Sequence, residues 1–229
     1  MDSEVNVRIH ALWDSTAEAE RGPLAPTFVD RITAGTLAVV GINPSYDPKS
    51  YTRQMRAAGI EETDPGAFFA WANVRNKPDR IRALLSVDRV GAEKSSHFKW
   101  VRNVAAETKV DWHPLDLFGV RHSNQKELVD RLMPRGKLTR FAMDQLELFE
   151  VALEAASPCL IVVTNKFASD LLKNRWEERL EMLGNGNALM QSSRGPIPLM
   201  FTKIASRWNT TADRLALSRQ IAEAIQAAR

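Results

Sequence analysis

The sequence predicts an α/β protein, a three-layer α/β/α arrangement around a central, mostly parallel four-stranded sheet. Four short apolar runs read as strands: residues 37–40 (Leu-Ala-Val-Val), 115–118 (Leu-Asp-Leu-Phe), 160–163 (Leu-Ile-Val-Val) and 197–201 (Ile-Pro-Leu-Met-Phe). Most are continuous rather than alternating, as expected of strands covered on both faces. Helical patterns separate them, and strands alternating with helices indicate a parallel sheet with right-handed crossovers.

In chain order, a helix containing Leu12 and Trp13 precedes the first strand and belongs to an N-terminal region of about 1–30. Residues 46–96 form a long insertion, which Asp64-Pro65-Gly66 and Lys77-Pro78-Asp79 divide into short helical pieces and loops. Thr139 is placed to cap a helix running to residue 156, with Phe141, Leu146, Phe149 and Leu153 on its inner face. A further helix is expected over 168–183, stopping at Gly184-Asn185-Gly186. The last helix starts near Asn209-Thr210 and buries Leu217, Ile221 and Ile225. The 229 residues suit one large domain with a sizeable core.

Composition narrows the class. Hydrophobic residues make up 44% and charged residues 26%, which excludes a disordered chain. One Cys excludes an internal disulfide and points to a reducing compartment, here the cytoplasm. One Cys and four scattered His cannot make a Cys-rich zinc site, and no metal or cofactor is expected. No apolar run approaches the ~18 residues of a membrane span, and nothing at the N-terminus marks export. The net charge is +3 but uneven: residues 71–109 hold nine bases and four acids, and residues 203–229 hold five bases and two acids. Such an excess either holds an anion on one face or simply solvates helix faces.

In an open parallel sheet, ligands bind where strand carboxyl ends give way to loops. Gly41 ends a buried strand and gives the backbone room to turn. Asn43 then offers an amide that both donates and accepts, held extended by Pro44. That is either a simple Asn-Pro turn or a rigid polar group that orients a water or ligand. Asp116 ends the second strand run, and His122, Ser123 and Asn124 follow it. His113 precedes Pro114 and shapes a turn; Cys159 precedes a strand and reads as a small core residue.

The run Val40-Gly41-Ile42-Asn43-Pro44-Ser45 resembles the Gly-Ile-Asn-Pro-Gly motif of the mismatch-specific uracil/thymine-DNA glycosylases, within the uracil-DNA glycosylase superfamily. Further segments are similar in the same order. His97-Phe98-Lys99-Trp100 looks like the family's Asn-Arg-Phe-Trp helix start, and Leu115-Asp116-Leu117-Phe118 like its second-strand motif. Residues 163–168 stand where the third strand meets a helix-capping turn. Ala205-Ser206-Arg207-Trp208-Asn209 falls where the family has Asn-Pro-Ser-Gly-Leu-Asn. Ser45 replaces the family's Gly, the last motif lacks its Asn-Pro pair, and the stretch between Asn43 and Phe98 is longer.

The resemblance implies base excision from DNA, with the nucleotide extruded into a pocket. Asn43 would hold the attacking water. Gly41, Ile42, Ser45, Tyr46, Asp116 and Phe69 would line the base pocket, with Phe68 and Trp71 as alternative aromatic faces and core packing as the competing role for at least two of the three. Lys166, Ser206, Arg207, Trp208 and Asn209 would meet DNA, Trp208 acting either as a wedge or as a core residue closing the last helix. DNA is the expected partner and a monomer the expected state. The alternatives are a non-catalytic nucleic-acid-binding member of the same fold and a hydrolase of nucleosides or nucleotides. The chain has no Gly-x-Gly-x-x-Gly, P-loop or Gly-x-Ser-x-Gly, which leaves dinucleotide, NTP and serine-hydrolase readings without support.

Overall fold

A computed structural model describes residues 4–30, 33–184, 186–202 and 211–227. The helices are α1 (Glu4–Ser15), α2 (Glu18–Arg21), α3 (Pro48–Ala57), α4 (Pro65–Phe69), α5 (Trp71–Val74), α6 (Pro78–Lys94), α7 (Lys99–Thr108), α8 (Gln125–Leu132), α9 (Arg140–Ala156), α10 (Lys166–Arg175) and α11 (Thr211–Ala227). The strands are β1 (Leu37–Gly41), β2 (Trp112–Asp116), β3 (Leu160–Val163), β4 (Leu180–Gly184), β5 (Asn187–Ser192) and β6 (Gly195–Phe201). They form two compact units: residues 1–30, 43–94 and 116–152 make one, and residues 31–42, 95–115 and 153–229 the other.

The second unit carries the sheet, in the order β2-β1-β3-β6-β5-β4. β3 runs parallel to β1, with Leu37 beside Leu160 and Val40 beside Val163, and parallel to β6. Every residue of β3 is buried, which explains its unbroken apolar run. Leu37, Val39, Leu160 and Val162 join Val101 and Val104 of α7 and Ile221 and Ile225 of α11 in one core cluster, with Leu217 packed against it.

The α/β class holds, but the sheet has six strands rather than four and is mixed rather than mostly parallel. The helix expected over 168–183 is the reason. α10 begins under an Asn165 cap, whose side chain accepts from the Phe167 and Ala168 amides at 2.8 and 3.3 Å, and ends at Arg175. Buried Trp176 then anchors the chain, and residues 180–184 return as β4. Gly184 and Gly186 both take positive φ, +93° and +80°, so the glycines that read as a helix stop instead turn an antiparallel β4–β5 hairpin. β5 then pairs antiparallel with β6. The second strand also differs: β2 spans Trp112–Asp116, and Leu117 and Phe118 are buried after the chain has left the sheet.

The first unit is helical. Trp13 is 1% exposed, packs edge-on against Phe141 at 5.2 Å and donates from its indole to the Leu24 carbonyl. Asn6 exchanges two 2.8 Å hydrogen bonds with the Val29 backbone and ties α1 down. The insertion is more ordered than short pieces and loops: Asp47 and Asp64 cap helices whose first residue is proline, and α6 runs 17 residues from Pro78. Thr139 caps α9 through the Ala142 amide, and Phe141, Leu146, Phe149 and Leu153 are buried along it.

Gly186 tests the hairpin. A Cβ there would lie 2.7 Å from the Phe201 carbonyl oxygen, at a positive φ. Gly186→Ala is expected to lower stability by about 1–3 kcal/mol in urea denaturation; an unchanged midpoint contradicts this hairpin geometry.

Candidate functional site

Past the end of β1 the chain turns through Ile42, Asn43 and Pro44. Asn43 is 7% exposed. Its Nδ2 donates to the carbonyls of Pro44 at 3.0 Å, His122 at 3.0 Å and Val120 at 3.3 Å. The His122 amide returns a bond to the Pro44 carbonyl at 3.2 Å. The loop after β1 is thereby stitched to the loop after β2. Three carbonyls around one nitrogen also settle which end of the amide is which. The opposite end, Oδ1, is buried and has no hydrogen-bond partner among the described residues. A buried acceptor left unpaired costs about 1–3 kcal/mol, which favours a water or ligand at this oxygen.

Between the two carbonyls that Asn43 grips lies Arg121, whose side chain is wholly buried. Its Nη1 donates to Asp88 Oδ1 at 2.9 Å and to the Tyr51 hydroxyl at 2.7 Å; Nη2 donates to Asp88 Oδ2 at 2.5 Å and to the Pro26 carbonyl at 3.4 Å; Nε donates to the Ala25 carbonyl at 3.2 Å. A guanidinium has five N–H donors, and this arrangement commits all of them. The group also lies 4.5 Å from the ring centroid of Phe69 and 5.5 Å from that of Tyr51. Burial works against its charge, but Asp88 and Tyr51 outweigh burial and hold it more firmly protonated than usual. Burial pushes the Tyr51 hydroxyl up to about 12.

Asp116, the last residue of β2, is the group this arrangement leaves out. It keeps part of its surface, and no hydrogen bond reaches its carboxyl among the described residues. The carboxyl itself sits deep among neighbouring atoms. Burial pushes it from 3.8 up to about 7, with Asp88 adding to the rise and Arg121 opposing it. A carboxyl that titrates at neutral pH can give or take a proton under working conditions.

An aromatic group packs against Arg121. Tyr46 stacks on Tyr51 with ring centroids 5.3 Å apart and turns its edge to Phe69 at 6.2 Å. Phe69 is fully buried beneath both tyrosines and Arg121, while Tyr46 is only half-buried. The ring open to a ligand is therefore Tyr46, and Phe69 supports it from below. Phe68 and Trp71 are core residues, at 0% and 1% exposure.

The remaining expected residues are more dispersed. Gly41 closes β1, Ile42 is buried and Ser45 is exposed. Lys166 opens α10 and pairs with Asp170. Ser206, Arg207, Trp208 and Asn209 lie outside the described residues. Four arginines of the basic stretch are already compensated: Arg75 by Asp14, Arg80 by Glu62, Arg82 by Asp79 and Arg89 by Asp30. His122 serves its turn, accepting at Nδ1 from the Asn124 amide at 3.1 Å. Arg121, Asp88 and Tyr51 were not singled out from the sequence. The one available signal was a lone cation closing the apolar run Leu117-Phe118-Gly119-Val120, which marks a buried charge in need of a partner.

No protein-family model matches the chain, and no curated protein matches it.

The Asp116 shift has a stability consequence. Between 3.8 and about 7 the unfolded chain has released the proton and the folded protein has kept it. Stability therefore falls as pH rises through that window and levels off above it. Asp116→Asn removes this penalty. Its melting temperature is expected to exceed that of the native protein by about 2–4 °C or more near pH 8 and to match it near pH 4. Equal melting at both pH values contradicts a raised Asp116.

Proposed function

We propose that this protein hydrolyses the N-glycosidic bond of a damaged or deaminated base in DNA, as a member of the uracil-DNA glycosylase superfamily nearest to the mismatch-specific uracil/thymine type. One observation carries the reading: Asn43, in the motif that resembles the family's water-holding segment, has its nitrogen saturated by three carbonyls and its Oδ1 buried without a partner among the described residues.

That oxygen can accept from a water or from a base N–H but cannot ionise. Its role is to orient water beside the anomeric carbon while the bond to the base lengthens and positive charge develops on the sugar. Asp116 and the Tyr46 ring supply the base side of the site. The same reading carries the family's three-layer fold with a parallel core, a DNA partner, a monomeric state, a cytoplasmic location and chemistry that needs no cofactor. The DNA-facing loop over 205–209 rests on the resemblance of its sequence.

The test is a panel of oligonucleotides, single- and double-stranded, carrying uracil, hypoxanthine or a mismatched thymine, scored by strand cleavage after alkali. Cleavage above background is expected for at least one base. It should fall about 100-fold in Asn43→Ala, because a mispositioned water loses about that factor. Absence of abasic sites across the whole panel overturns the reading. Salt-sensitive DNA binding without cleavage would make the protein a binding member of the fold, and hydrolysis of free nucleosides but not DNA would make it a nucleoside hydrolase.

A further inference from the structure

The orientation of the Asn43 amide is set by its neighbours. A terminal amide can present either end, and only its hydrogen bonds tell the ends apart. Here the nitrogen is fixed by the carbonyls of Pro44 and His122, each at 3.0 Å, and of Val120 at 3.3 Å. Val120 and His122 flank Arg121 in the chain, so the amide is only as rigid as residues 120–122. The buried Arg121 side chain pins that stretch. It reaches Asp88 on α6 at 2.9 and 2.5 Å, Tyr51 on α3 at 2.7 Å, and the Ala25 and Pro26 carbonyls at 3.2 and 3.4 Å. Among those partners Asp88 alone carries a full charge, and a two-pronged charged pair is stronger and more directional than neutral hydrogen bonds. Without that carboxylate the buried guanidinium would be left uncompensated. Any shift it made to recover solvent would carry the Val120 and His122 carbonyls with it.

We propose that Asp88 is a positioning residue for Asn43. Through Arg121 it fixes the carbonyls that occupy the Asn43 nitrogen, and so keeps Oδ1 as the end left for the reacting water. The effect on catalysis rests on the glycosidic-hydrolysis reading above; the effect on the Asn43 amide does not. Tyr51 supports the same guanidinium through a single neutral hydrogen bond and is the weaker prop. Both residues belong to the inserted region over 46–96, which is thereby a functional part of the site. Asp88 touches no substrate in this scheme. A small turn of the amide suffices for a large effect, because a displacement of about 1 Å can cost about 100-fold in rate.

The test uses the full chain, isotopically labelled at asparagine side chains for NMR, with the Asn43 signals assigned by their loss in Asn43→Ala. Asp88→Asn keeps the size of the side chain and removes its charge. Tyr51→Phe removes one hydrogen bond, keeps the ring, and serves if Asp88→Asn does not fold. Arg80→Gln breaks the Arg80–Glu62 pair elsewhere in the insertion and is the control. The Asn43 side-chain protons are expected to exchange with water at least about 10-fold faster in Asp88→Asn and about 3-fold faster in Tyr51→Phe, with changes under about 2-fold in Arg80→Gln and in the backbone amides of α9. On an oligonucleotide that native protein cleaves, Asp88→Asn should lower kcat by about 10-fold or more with KM within about 3-fold. Added to Asn43→Ala it should cost less than about 3-fold further, since the residue it positions is gone. Unchanged Asn43 exchange in the folded variants, equal loosening in Arg80→Gln, or a loss that falls on KM or adds in full to Asn43→Ala overturns the inference and leaves the glycosylase reading standing. Faster Asn43 exchange in a protein that cleaves nothing in the panel supports the coupling of Asp88 to Asn43 and overturns the glycosylase reading.

Discussion

The site depends on the complete engagement of one buried guanidinium. Arg121 draws together α3 through Tyr51, α6 through Asp88 and the segment at Ala25 and Pro26, while Asn43 holds the carbonyls on either side of it. A buried Arg–Asp pair is a weak source of net stability, because desolvation offsets most of the attraction. Removing one partner is far worse, since it strands the other charge. Such a network fixes geometry more than it adds free energy: four separate stretches of chain must arrive together for every donor to be satisfied.

That completeness has a chemical result. Arg121 donates no hydrogen bond to Asp116, and burial, with Asp88 adding to it, outweighs the pull of the Arg121 charge, so the carboxyl keeps its proton toward neutral pH. Asn43 differs in kind, its donors over-committed and its acceptor without a partner among the described residues. Two polar groups in one helical unit are therefore short of partners among the described residues, as are side-chain atoms of Thr27, Trp71, Arg131 and Gln145 in the same unit. Departures of this kind are expected where function rather than stability selects the arrangement.

Legibility in the sequence followed the range of the interactions involved. Local signals worked. The continuous apolar runs at 37–40 and 160–163 became fully buried strands, Thr139 and Asn165 became caps, and the turn after β1 drew notice for Asn43 because Gly and Pro flank it. The hairpin was missed because Gly184 and Gly186 serve a helix stop and a strand turn equally well, and periodicity over a few residues does not choose between them. The Arg121 network was missed for a different reason. Its partners stand 70 and 33 residues away at Tyr51 and Asp88, on helices of the insertion. Nothing local to residue 121 announces them. Phe69 was chosen for its aromatic ring, but only packing reveals that Tyr46 covers it.

The most direct measurement of the central claim is the titration of the Asp116 carboxyl carbon by NMR in selectively labelled protein, assigned by loss of the signal in Asp116→Asn. The expected midpoint is about 7. A midpoint near the ordinary value of 3.8 would contradict it, and with it the view that burial outweighs the Arg121 charge at this carboxyl.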